Sequence, residues 1–224
     1  MFNFLKKKPD APKKPRLFVI GLDCAPPELL FDQYRAELPN LNRIFSGGAF
    51  GRMESCTPCI TVPAWSVMTS SKDPGTLGIY GFRNRADYSY DRLSIATGAA
   101  VKEPRVWEIL GAAGKKVITV GIPGSYPPRT VNGVMVGCFL TPGTVGSDEN
   151  GNRVDKVFTY PPEYSGKINR WAGGEYQVDI PRFRTEDKDD LLEQMYTMTR
   201  QHFEVLRQML RAETDWDFFM FTEM

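Results

Sequence analysis

A carboxylate and a hydroxyl sit where the local sequence could put them to chemical use. Asp23 follows directly on the apolar run Arg16 to Leu22, RLFVIGL. At that position a carboxylate is a helix cap, a turn former or a metal ligand, and Cys24-Ala25-Pro26 behind it keeps the capping role open. Thr61 precedes Val62 and Pro63, and the AWSVMTSS that follows reads as a short helix. At a helix start, unpaired backbone N–H groups and the helix dipole favour an anion such as a phosphoryl group. The Thr61 hydroxyl is equally suited to an ordinary N-cap. As a nucleophile, threonine is weak at neutral pH and needs a base or a metal to hold it as an alkoxide. A hard carboxylate such as Asp23 supplies part of such a metal site.

The elements that must carry these residues follow from the hydrophobic pattern. Arg16 to Leu22 predicts a buried strand of the parallel type, bounded by Pro15. PPELLFDQY and LNRIFSGG predict two helical pieces, and Ala49 to Ser55 a further strand. Asp73 to Thr97 has loop composition. Pro104 to Leu110 is a helix, KVITV (Lys116 to Val120) the next strand, and Gly133 to Phe139 one more. Glu186 to Glu213 is the longest periodic stretch, with Leu191, Leu192, Met195, Met198, Phe203 and Leu206 on one stripe. WDFFMFT (Trp216 to Thr222) is a strongly apolar strand, with Glu223 just past its end.

Strands alternating with helices give the fold class: α/β, a mostly parallel sheet with helices on both faces and the start of a cap insertion. Sites in such sheets lie at the carboxyl ends of strands. The expected organisation is a basic disordered leader over 1–15 and an α/β core over 16–140. An irregular cap-like excursion follows over 141–185, and a long helix and strand return to the core over 186–224.

Bulk composition excludes several classes. Lys+Arg 28 against Asp+Glu 27 leaves no net field toward nucleic acid or anionic lipid. The basic bias is confined to MFNFLKKKPDAPKKPR, which has no apolar core of a signal peptide behind it. No apolar run approaches the ~18–20 residues of a membrane span. A soluble, cytoplasmic protein with neither a nucleic-acid nor a membrane partner is therefore expected, its oligomeric state left open. Cys56-Thr57-Pro58-Cys59 has the C-x-x-C spacing, but Cys24 and Cys138 do not form the second pair a structural zinc needs. The ordinary reading is reduced, half-buried thiols. A Rossmann-like nucleotide site is disfavoured because no G-x-G-x-x-G follows the first strand.

The ordered set Gly21-Leu22-Asp23, Thr61 to Trp65 (TVPAW) and Thr69 to Phe82 (TSSKDPGTLGIYGF) resembles the type I phosphodiesterase/nucleotide pyrophosphatase branch of the alkaline phosphatase superfamily. VWEILGAAGKKV, GIPGSYPP and VNGVMVGCFLTPG are similar to its bacterial and archaeal phosphohydrolase/phosphomutase-like relatives. The resemblance implies two divalent metal ions, usually zinc, with Asp23 and Thr61 on one of them. It also implies a small phosphate mono- or diester substrate, a phospho-threonine intermediate on Thr61 and its hydrolysis by metal-activated water. A phosphomutase using the same nucleophile is the alternative within the class, and a half-formed, inactive site is the alternative outside it.

Departures from the family pattern are specific. Ala64-Trp65 stand where nucleotide pyrophosphatases carry Asn-His, and Phe82 stands where they carry a phosphate-contacting Asn. Arg83 and Asn84 are the nearest candidates to contact substrate instead. Sulfatase chemistry is unsupported, since Thr61-Val62-Pro63-Ala64-Trp65 has neither the Cys/Ser nor the Arg of that motif. The single histidine, His202, lies inside the long amphipathic stretch with Val205 and Leu206 at i+3 and i+4, which predicts a structural role. The family's remaining Asp and His ligands are not found before Met224, so the sequence reads as an amino-terminal part carrying half of the site.

Overall fold

A computed structural model describes residues 14–87 and 89–224; most of the expected leader lies outside the described residues. Strand β1 (Leu17–Leu22) opens the chain's order. A π-helical turn (Glu28–Gln33) and a 3-10 turn (Arg35–Glu37) lead to helix α1 (Pro39–Gly47), which has proline in its first turn. Helix α2 (Thr61–Ser70) and the short α3 (Pro74–Leu77) follow, the latter capped by Asp73, whose carboxylate accepts from the Thr76 N–H. Next come β2 (Arg83–Arg85), β3 (Leu93–Ile95), α4 (Val106–Ala112), β4 (Val117–Val120) and β5 (Gly133–Val136). The last elements are β6 (Val145–Ser147), β7 (Arg153–Asp155), β8 (Thr159–Tyr160), α5 (Tyr164–Trp171), α6 (Lys188–Ala212) and β9 (Phe218–Glu223).

The main sheet has the order β1-β9-β4-β5-β8. Neighbours among the first four strands run parallel, and β8 runs antiparallel to β5. Strand β4 is buried at every position, which is why VITV carries no polar alternation. One face packs Met135, Phe218 and Met220 against Trp107 of α4, with Val19 and Trp65 beside them. The other face packs Val136, Phe219 and Phe221 against Ile168 of α5 and Val205, Leu206 and Met209 of α6. A mostly parallel sheet covered on both faces is the architecture the alternation predicts.

Several local expectations change. Strand β1 is parallel but among the described residues has β9 as its one strand partner, and it lies at the sheet edge with Leu17 57% and Ile20 52% exposed. Residues 49–55 form no strand. The loop-like segment from Asp73 contains α3 and the antiparallel hairpin β2–β3. In the segment expected as cap-like, β6 and β7 make a separate hairpin, whereas β8 joins the main sheet and α5 its core. Within α6 the apolar stripe is buried only from Met198 onward, and Leu192 and Met195 face solvent.

Two arginines clasp the loops at the carboxyl end of the sheet. Arg105 is fully buried, donates to the Gly124 carbonyl (2.6 Å) and lies over the Trp107 ring; burial pushes its pKa down to about 10. Arg129 donates to the carbonyls of Gly98 (2.7 Å) and Val101 (3.0 Å), tying that strap to the segment after β4.

Gly133 begins β5 at φ 146°, where an added Cβ would lie 2.0 Å from the Val117 carbonyl oxygen. Gly133→Ala should therefore cost roughly 2–4 kcal/mol in urea unfolding. His202 is buried between Glu223 (Nδ1 to carboxylate, 2.9 Å) and the Gln177 carbonyl (Nε2, 2.6 Å). His202→Ala removes both bonds and leaves a carboxylate in the interior, so a loss of about 3 kcal/mol is expected in the same assay. A loss below about 1 kcal/mol would show that this contact does not hold α6 to the sheet.

Candidate active site at the carboxyl end of the sheet

Strands β1 and β9 end together, with Leu22 paired to Glu223, and the Asp23 N–H donates to the Glu223 carbonyl (2.9 Å). Side chains alternate along a strand, and paired residues of parallel neighbours share a face. Glu223 therefore points to the α6 face and Asp23, one residue past Leu22, to the opposite face.

On the α6 face the Glu223 carboxylate accepts from Thr199 Oγ1 (3.0 Å) and meets His202. Each His202 nitrogen faces an oxygen, so the ring bridges Glu223 and the Gln177 carbonyl. The carboxylate is committed to α6, and His202 to latching the Gln177 segment onto it. The structural role read for His202 fits these contacts.

Asp23 has a different environment. Its Oδ2 accepts from Trp65 Nε1 (3.0 Å), and its Oδ1 from the Cys24 thiol (3.4 Å). No backbone N–H of the following turn bonds to its carboxylate, so Asp23 is not a helix cap. Cys24 takes a left-handed conformation, φ 55°, which is uncommon away from glycine. The hydrogen bond to Asp23, with a smaller contribution from burial, raises the Cys24 thiol pKa and keeps the group protonated and donating.

Thr61 is the first residue of α2, not its cap. Ile60 holds the cap position, where no side-chain bond is made, and the first helical bond runs from the Ala64 N–H to the Ile60 carbonyl (2.9 Å). The N–H groups of Thr61 and Val62 precede that bond, and Pro63 has none. Among the described residues the half-buried Thr61 makes no side-chain hydrogen bond. Val62 beneath it is anchored in a core of Leu77, Ile79, Ala96 and Val101.

Trp65 lies one turn beyond Thr61 on the same helix, so its bond to Asp23 seats the first half of α2 against the end of β1. The approach is close: a Cβ on Gly21 would fall 2.3 Å from Trp65 Cη2. Arg83 and Asn84 are carried by β2. Arg83 is exposed; Asn84 is half-buried, its Oδ1 shielded from solvent without a hydrogen-bond partner. No hydrogen bond or ion pair links either residue to Asp23 or Thr61. Asp23 and Thr61 offer oxygen donors of the kind a divalent cation takes, which fits part of a coordination sphere. Among the described residues no group of three or more His, Cys, Asp or Glu could hold a metal ion. The residue that sequence reasoning passed over is Trp65. It stood out as a departure from Asn-His, and its i, i+4 spacing from Thr61 was the available signal.

Comparison with known proteins agrees with the fold. The family model for type I phosphodiesterase / nucleotide pyrophosphatase matches residues 17–224. Among solved structures, phosphonoacetate hydrolase from Sinorhizobium meliloti 1021 in complex with phosphonoacetate is similar with a TM-score of 0.59 at 17% identity. The same enzyme in complex with phosphonoformate gives 0.57 at 18%. The likeness covers 93% of this chain and 46% of those chains, so the chain spans about half the length of the structures it matches. No curated protein matches the sequence. No helix among the described residues is long and apolar enough to cross a membrane. With its family model matched along nearly the whole chain, this protein belongs to the type I phosphodiesterase / nucleotide pyrophosphatase family.

Proposed function

We propose that the chain serves metal-dependent hydrolysis of phosphate mono- or diesters, with Thr61 as nucleophile and Asp23 as a ligand to one of two divalent metal ions, zinc by family habit. The observation that carries this reading is the uncapped start of α2. A free hydroxyl and two free N–H groups stand together there, on the helix whose next turn is bonded to Asp23.

In this reading the Thr61 and Val62 N–H groups hold non-bridging oxygens of the phosphoryl group, aided by the helix dipole. Thr61 Oγ1 attacks phosphorus in line, its proton is lost, and the bond to the leaving alcohol breaks. The resulting phospho-threonine is then opened by water, which returns the hydroxyl and releases phosphate or a phosphomonoester. Bound metal supplies positive charge that favours the alkoxide and the leaving oxygen. Asp23 holds its carboxylate toward that charge, and donors beyond Asp23 and Thr61 complete the coordination. Arg83 and Asn84 are proposed to contact substrate from the hairpin. The complex of the structural neighbour with phosphonoacetate supports a small phosphorus oxyanion as the substrate class. A cytoplasmic setting belongs to the same reading, supported by four free cysteines.

The test uses p-nitrophenyl phosphate and bis(p-nitrophenyl) phosphate with zinc. Thr61→Ala should lower turnover by on the order of 10³-fold or more, as loss of a nucleophile does. Asp23→Ala should abolish most zinc binding measured by metal analysis after gel filtration. Turnover indifferent to Thr61→Ala would remove that residue from the mechanism.

A further inference from the structure

The Trp65–Asp23 contact goes beyond packing. An indole N–H is a donor only, so it neither competes with Asp23 for a cation nor reverses its role when charge arrives. It takes one lone pair of Oδ2, and the Cys24 thiol takes one of Oδ1. A carboxylate has about four lone-pair sites, so these bonds select which ones remain for a cation. The indole is itself fixed. It lies on Gly21 and packs beside Val19 in the core of that face. Trp65 and Thr61 are four residues apart on one helix, about 6 Å along its axis.

We propose that Trp65 is a positioning residue: its indole N–H fixes the orientation of the Asp23 carboxylate and, through helix α2, the separation of that carboxylate from the Thr61 hydroxyl. The inference rests on the reading of Asp23 as a metal ligand and adds the group that orients it. Orienting partners of this kind change metal affinity when removed, because the ligand must then be ordered at the moment of binding.

The test has two arms on the 224-residue chain. In metal-free, 15N-labelled protein, the Trp65 indole resonance should lie downfield among the four tryptophans and move upfield on Asp23→Ala. This arm needs no variant of Trp65. By calorimetric titration with zinc chloride, Trp65→Phe, which keeps a ring over Gly21 but has no N–H, should bind about 10–100-fold more weakly than wild type. Its circular dichroism and urea midpoint should stay close to wild type. In the Asp23→Ala background the same substitution should change zinc affinity less than about twofold, as expected for a residue acting through Asp23. An indole resonance indifferent to Asp23→Ala overturns the proposal. So does a Trp65→Phe effect that is absent, or equal with and without Asp23. Zinc binding by wild type that survives Asp23→Ala unchanged instead refutes Asp23 as a ligand and takes the role of Trp65 with it.

Discussion

Strand alternation at one pair of chain positions governs what this end of the sheet can do. Because Leu22 is paired with Glu223, Asp23 and Glu223 leave the sheet side by side yet face opposite ways. One carboxylate is absorbed into the fold, held by Thr199 and His202 of α6. The other meets an indole and a thiol and keeps accepting capacity. A slip of one residue of β1 along β9 would turn Asp23 toward α6, beside Glu223, and away from Trp65. Under the proposed function, register is thus a functional quantity. It is secured by β9, whose Phe218 to Phe221 are buried on both faces.

The strength of that register is uneven. Strand β9 is sandwiched between β1 and β4 and contributes to both cores, so little about it can move without opening the interior. Strand β1 is held by β9 along one edge only, and Leu17, Ile20 and Leu22 keep much of their surface in contact with water. Its placement depends on contacts at its two ends. Near the start, the Phe18 ring packs on Phe219 and Trp216. At the other end, Gly21 and Asp23 engage Trp65. The candidate site therefore lies where a weakly held strand is fastened to a helix, not on the most rigid part of the sheet.

Much of this was legible in the sequence because it is written in period and punctuation. RLFVIGL, KVITV and WDFFMFT read as strands, and Glu186 to Glu213, with its stripe from Leu191, as the helix that forms over Lys188–Ala212. What escaped has physical causes. β2 and β3 are three-residue strands, RNR and LSI, too short for alternation to stand out from a loop. β8 has only Thr159 and Tyr160 and depends on pairing with β5, a long-range contact no local pattern encodes. β1 looks like any buried parallel strand, since its apolar run records a preference for burial and not its position in the sheet. Trp65 was visible as a residue but not as a donor to Asp23, because that bond spans forty-two residues of chain.

Local preferences fail beside the two residues proposed to carry the chemistry. The cap position of α2 is filled by Ile60, among the poorest capping residues, while the threonine that could have capped the helix sits one place later with its hydroxyl free. Forgoing a side-chain cap costs about 1 kcal/mol. Immediately after Asp23, Cys24 adopts a left-handed conformation that carries a further cost of order 1 kcal/mol for a residue with a Cβ. Among the described residues the other non-glycine residue with positive φ, Ser71, sits at the end of α2, where a left-handed residue closes a helix in the ordinary way. An element selected for stability alone would move the threonine back to the cap and place glycine or asparagine after the strand. Consistent sequences break such rules where another demand outweighs them. In the proposed function that demand is a free hydroxyl at the start of a helix and an available carboxylate at the end of a strand, joined by one tryptophan.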